Sequence, residues 1–289
     1  MILFGTTRKF LIFSSEGMSK DVKCPLVCDI LWQKRKRMMN SREKQIISRK
    51  RVADHGEVFT ADREVEAMCD LVKNETERID SRFLEPACGD GNFLSVILKR
   101  KLDIVEKKYK RSSYDWERNS LLALGSLYGV EILQDNVDAC RDRLFDMWDK
   151  SYIRICKKDC SEETRKAARF ILCINIVCGN ALTFSRVDHN GNDTGIPIIF
   201  SEWTFPFNDA KMHRKDYIFS KLLESSEDKI SEKEDISADL FGIEENNSGE
   251  GVFLKQYIAH YKRIYEDDTR EQEVNFALKN NKEADCNGK

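Results

Sequence analysis

The segment RFLEPACGDGNFLSVILKRKLDIV, residues 82–105, constrains the fold more than any other part of the chain. It reads as a short strand, a turn carrying Gly89 and Gly91, and a helix with Phe93, Leu94, Ile97 and Leu98 on one face. Two glycines where a strand hands over to a helix let a ligand approach the backbone. The helix start behind them offers unpaired N–H groups to an anionic end. SLYGVEI then reads as a second strand and DNVDACRDRLFDMWDK as a second amphipathic helix, with Asp135 a candidate N-cap. EETRKAARFIL reads as a third helix and CINIVCGNAL as a third strand. Strands alternating with helices in this way predict an α/β layer built on a parallel sheet.

Around this core the pattern is looser. SREKQIISRKRVADHGEVFT, from Ser41, is a basic helical stretch followed by a loop, and its charges read as a solvated face, with phosphate contact the alternative. ADREVEAMCDLVK places Val65, Met68, Leu71 and Val72 at helical spacing. Lys107 to Ser120 reads as a polar, aromatic-dotted insertion. Asn190-Gly191 marks a β-hairpin flanked by LTFSRVD and IPIIFSEWTF. Three parts result: an N-terminal extension, 1–38, outside the pattern, with Met38 or Met39 as the expected natural start; a ligand-binding domain, 39–224; and an acidic, mostly flexible tail, 225–289, with one helix at FLKQYIAHYKRIY.

A formal net charge of -2 provides no global basic field, so contact with nucleic acid would need a local patch or a partner. The ten cysteines are scattered and read as reduced core thiols of a cytoplasmic protein. Cys24 with Cys28 and Cys156 with Cys160 have a metal-compatible spacing, but none of the four histidines stands three to five from another, so no metal site is expected. No run approaches the ~20 apolar residues of a membrane span, and no membrane partner is expected.

As a ligand loop, 84–94 has two readings. A dinucleotide fingerprint would want a third glycine at position 94, which is Leu, and an acidic residue about 20 positions on, whereas Glu131 lies much farther. The other rests on resemblance. LEPACGDGNFL closely resembles the cofactor motif of amino-group, adenine-specific DNA methyltransferases of restriction-modification systems. HGEVFT, 55–60, resembles that family's other cofactor segment, which likewise precedes the Gly-rich strand, and YGVEI resembles its second acidic strand end. The resemblance covers roughly residues 41–182.

It implies a Rossmann-like class I S-adenosylmethionine-dependent methyltransferase sheet, here incomplete, with an added hairpin and the acidic tail. The implied cofactor-binding set is Phe59, Thr60, Glu85, Pro86, Ala87, Cys88, Gly89, Gly91, Phe93, Glu131, Ile132 and Asn180. Gly89 and Gly91 would shape the loop around the methionine part of S-adenosylmethionine, lined by Ala87 and Cys88, with Phe59 and Thr60 closing it. Glu131 would accept from both ribose hydroxyls and Ile132 would pack on the adenine. Asn180 stands where the family often has Asp; its amide oxygen can accept from the adenine amine, more weakly than a carboxylate.

The catalytic half is missing. The family holds the flipped base with an (Asn, Asp or Ser)-Pro-Pro-(Tyr or Phe) motif. The four prolines, Pro25, Pro86, Pro197 and Pro206, include no adjacent pair. Ser201-Glu202-Trp203 is the nearest imitation, and an aromatic beside a strand is ordinarily packing. Catalytic residues are therefore unassigned. The expected partners are DNA, reached through a complex, and a separate polypeptide carrying the Pro-Pro motif and target recognition. A non-catalytic cofactor-binding subunit and a methyltransferase for a non-DNA substrate are the alternatives.

Overall fold

The computed structural model describes residues 2–4, 60–188, 190–207, 209–222 and 253–266. The expected basic helix from Ser41, the HGEVF part of 55–60 and most of the acidic tail lie outside these residues. The architecture is α/β, with a six-stranded mixed sheet and a three-stranded antiparallel sheet.

The centre is a βαβαβ run. β2 (Arg82–Glu85), β3 (Leu127–Glu131) and β4 (Ile176–Asn180) are parallel neighbours, with Glu85 opposite Gly129 and Glu131 opposite Cys178. α3 (Asn92–Tyr109) and α4 (Ser113–Gly125) connect the first pair; α5 (Gln134–Cys156) and α6 (Glu162–Asn175) connect the second. α1 (Asp62–Leu71) and the short α2 (Lys73–Thr76) precede them. In each strand alternate residues serve opposite faces. Phe83, Leu127, Ile176 and Cys178 join the helix-side core with Leu94, Leu98, Trp116, Leu144 and Ile171. Leu84, Tyr128, Val130 and Val177 face a second core, covered by Ile198, Phe200 and Phe219.

Helix starts follow local chemistry. Ser112 accepts from Asp115 N–H at the head of α4, and Ser161 from Thr164 N–H at the head of α6, each satisfying an otherwise orphan donor. The expected insertion over Lys107 to Ser120 is instead the end of α3 and most of α4, since Trp116, Leu121 and Leu124 recur at helical spacing and are fully buried. Asp135 is not the N-cap of α5; it lies in the first turn, with Leu133 at the cap, where its charge still favours the helix N-terminus.

The sheet's margins are antiparallel. β1 (Ile2–Phe4), in the segment expected to stand apart from the domain, pairs with β2, Ile2 opposite Leu84. On the other margin β5 (Ser185–Val187) pairs with β4, and β6 (Asp193–Pro197) with β5. The hairpin at Asn190-Gly191 is present, with Asp188 Oδ1 accepting from Asn190 and Asn192 N–H and Gly191 at φ 80°. Its second arm is shorter than expected, because the chain leaves the sheet after Pro197 and IFSEWT becomes β7 (Ile199–Thr204) of the other sheet.

Two further corrections fall in the C-terminal third. Lys211–Ile218 is a strand, β8, where almost no strand pattern is legible, and Phe253–His260 is a strand, β9, not the helix expected in FLKQYIAHYKRIY. β8 pairs with β7 and β9, placing Arg214 beside Tyr257, with the guanidinium 4.4 Å from the ring centre. Arg214 also binds Asp216 through two nitrogens at 2.9 Å, so charged residues that look solvated in the sequence are buried as a pair. Beyond β9 the turn at Tyr261–Arg263 is pinned to the helical layer by Glu117, whose carboxylate accepts from Tyr152, Thr164, Tyr261 and Lys262.

Among the described residues no helix is long and apolar enough to cross a membrane.

Candidate functional site

The carboxyl ends of β2, β3 and β4 share one edge of the parallel sheet, and the loops leaving them carry Glu85 to Gly91, Glu131 with Ile132, and Asn180. Ligands of open parallel α/β sheets bind outside such an edge. The chain takes the tight path from β2 into α3 through two left-handed residues, Gly89 at φ 53° and Gly91 at φ 89°. A side chain at Gly91 would also place Cβ 2.7 Å from Cys140 Sγ, so this glycine is needed for both conformation and close packing of the loop on α5.

Glu131 joins the loop to β3. Its Oε2 accepts from Gly89 N–H at 2.9 Å and its Oε1 from Leu133 N–H at 3.0 Å. The carboxylate is buried. Glu85, at the end of β2, is also buried, and burial pushes its carboxyl above the usual carboxylate range.

Ala87 is exposed, and Pro86, Gly89, Asp90 and Thr60 are half-buried around the loop mouth. Ile132 is 37% exposed beside Glu131, an apolar surface at the rim. Cys88 faces inward: a Cβ at Gly129 would lie 2.9 Å from its Sγ, so the thiol packs beneath the loop and does not line its open side. Hydrogen bonding with Cys140 and burial hold the Cys88 thiol well above its ordinary range, which keeps it protonated and unreactive. Phe93 is half-buried and packs against the helix-side core. Asn180 forms a local turn, its Oδ1 accepting from Leu182 N–H at 3.0 Å. Phe59 lies outside the described residues.

The contacts that tie Thr60 to the loop were not legible in the sequence. Asn92 donates from Nδ2 to the Thr60 carbonyl at 3.2 Å and accepts at Oδ1 from Arg143 at 2.6 Å, while Arg143 also lies 3.3 Å from Asp90 Oδ1. Arg143 stands on α5, far from the Gly-rich motif in sequence, and nothing in its own neighbourhood marks it.

Ser201, Glu202 and Trp203 lie elsewhere. Ser201 C=O accepts from Asn175 Nδ2, and Asn175 is the last residue before β4, at the amino ends of the parallel strands. Ser201 Oγ is held by Asp216 and Arg214, Glu202 by Arg82 and Tyr217, and Trp203 packs at Gly125. All three are buried structural residues at the opposite edge from the Gly-rich loop.

No family model, no curated protein and no solved structure matches the chain.

Proposed function

We propose that this chain is the S-adenosylmethionine-binding part of an adenine-N6 DNA methyltransferase of restriction-modification type, with a Rossmann-like class I sheet that is incomplete. The observation that carries the reading is the Gly89 N–H bond to Glu131, because it brings the two segments with the strongest resemblance to one sheet edge. The arrangement suits the ligand chemically. The two left-handed glycines turn the loop backbone at the sheet edge proposed to take the methionine part, and the start of α3 favours its carboxylate. Glu131 is an acceptor-only carboxylate at the end of β3, the group proposed to take the ribose hydroxyls, and Ile132 offers an apolar surface for the adenine ring.

In this reading the catalytic motif and target recognition come from outside this sequence, on a partner polypeptide. One feature favours it: the adjacent prolines needed for the motif are absent from this sequence. DNA would be engaged through the assembled complex, since the chain's net charge supplies no broad attraction to phosphates.

The test is methyl transfer from labelled S-adenosylmethionine to DNA by the chain with its co-purifying partner, compared with the same complex carrying Glu131→Ala. Transfer that depends on both the partner and Glu131 supports the proposal. Transfer unaffected by Glu131→Ala would make the chain a regulatory subunit, and transfer by the chain alone to RNA, protein or a small molecule would replace DNA as the substrate.

A further inference from the structure

We infer that Asn92 and Arg143 are positioning residues that hold the Thr60 segment against the Gly-rich loop, and so set affinity for the amino-acid end of the ligand. The inference rests on the S-adenosylmethionine reading of the site. Asn92 is the first residue of α3 and its amide is used at both ends: Nδ2 donates to the Thr60 carbonyl at 3.2 Å, and Oδ1 accepts from Arg143 at 2.6 Å. An amide is the group for this place. A carboxylate could accept from Arg143 but could not donate to a carbonyl, and an ammonium could do only the reverse.

Arg143 fixes which way the amide points. With the guanidinium on the oxygen, the NH₂ group must face Thr60, and the adjacent Asp90 carboxylate, 3.3 Å from Arg143, keeps the guanidinium over the loop. Three otherwise separate pieces are thereby tied together: the chain entering α1 at Thr60, the loop and α3 start at Asp90 and Asn92, and the middle of α5 at Arg143. Thr60 is the last residue before Ala61, the N-cap of α1, so the Asn92 bond anchors the chain where it arrives beside the loop. The ribose end of the site rests on Glu131 and Ile132, and Glu131 is joined to the loop at Gly89, not through Asn92.

Affinity measured on the full chain by calorimetry tests the inference, with S-adenosylmethionine and with 5′-methylthioadenosine, which lacks the amino-acid end. Asn92→Ala should weaken S-adenosylmethionine at least about tenfold, ~1.4 kcal/mol, and leave 5′-methylthioadenosine within about twofold of the parent. Arg143→Ala should weaken S-adenosylmethionine alone, yet add nothing in the Asn92→Ala background, because it acts through Asn92. A further loss in that background would mean that the Arg143 charge acts directly on the ligand and would overturn the positioning role. So would an equal fall for both ligands, or no fall for either. Failure of the parent chain to bind either ligand would remove the underlying reading itself, and is distinguished by that parent measurement.

Discussion

Gly89 N–H and Glu131 Oε2, 2.9 Å apart, join residues 42 positions distant in the chain and close the Gly-rich loop onto the end of β3. The loop is therefore organised by the same carboxylate proposed to hold the ribose. Glu131→Gln separates the two duties. The amide oxygen can serve one of the two backbone donors, Gly89 or Leu133, but its NH₂ group faces the other. The expected outcome is a stability loss of about 1–3 kcal/mol in urea unfolding. An unchanged midpoint would show that the loop does not depend on this carboxylate.

Gly91→Ala should destabilise the chain by about 1–3 kcal/mol, from the left-handed backbone alone. The added Cβ, 2.7 Å from Cys140 Sγ, adds a packing penalty. Cys140→Ala in the same chain should recover only that second part. Full recovery in thermal unfolding would mean that the backbone at φ 89° is not strained by a side chain.

Lys101 is fully buried, its ammonium donating to the carbonyls of Ile79 and Ser81 and to Ser126 Oγ beneath the starts of β2 and β3. Burial pushes its pKa well below the usual lysine range. Between the folded and unfolded values the unfolded chain binds the extra proton, so this group's contribution to stability rises with pH up to about 10.4. The unfolding free energy of the parent minus that of Lys101→Met should therefore become more positive as pH is raised toward about 10, measured by urea unfolding of both at each pH. A difference that becomes more negative would contradict the burial argument.

Glu117→Gln should loosen residues 261–266 more than the parallel core. It replaces a buried carboxylate that serves Tyr152, Thr164, Tyr261 and Lys262. Removing the charge from this buried acceptor costs on the order of 1–3 kcal/mol. Hydrogen exchange should show the amides of 261–266 losing protection before those of β3. Simultaneous loss would indicate that the turn after β9 is not a separately anchored element.

The βαβαβ core was legible because each of its elements is a local pattern. RFLE, LYGVE and IVCGN are short apolar strands, and α3, α5 and α6 bury apolar residues at helical spacing. The hairpin was legible from Asn190-Gly191, although not the length of its second arm. β8 and β9 were hidden because KMHRKDYI and FLKQYIAH carry charge and only weak alternation. Their strand character comes from pairing with each other and from the buried Arg214–Asp216 pair, both tertiary effects. At the candidate site the loop glycines and Glu131 stood out by spacing and motif. Arg143 and Cys140 did not, since what places them there is the packing of α5 on the loop.

The most direct test of the account is calorimetric titration of the chain with S-adenosylmethionine and, separately, with a nicotinamide dinucleotide, in the parent and in Glu131→Ala. The account predicts binding of S-adenosylmethionine alone, weakened at least about tenfold, ~1.4 kcal/mol, in the variant. Binding of the dinucleotide instead, or S-adenosylmethionine binding indifferent to Glu131, would contradict it.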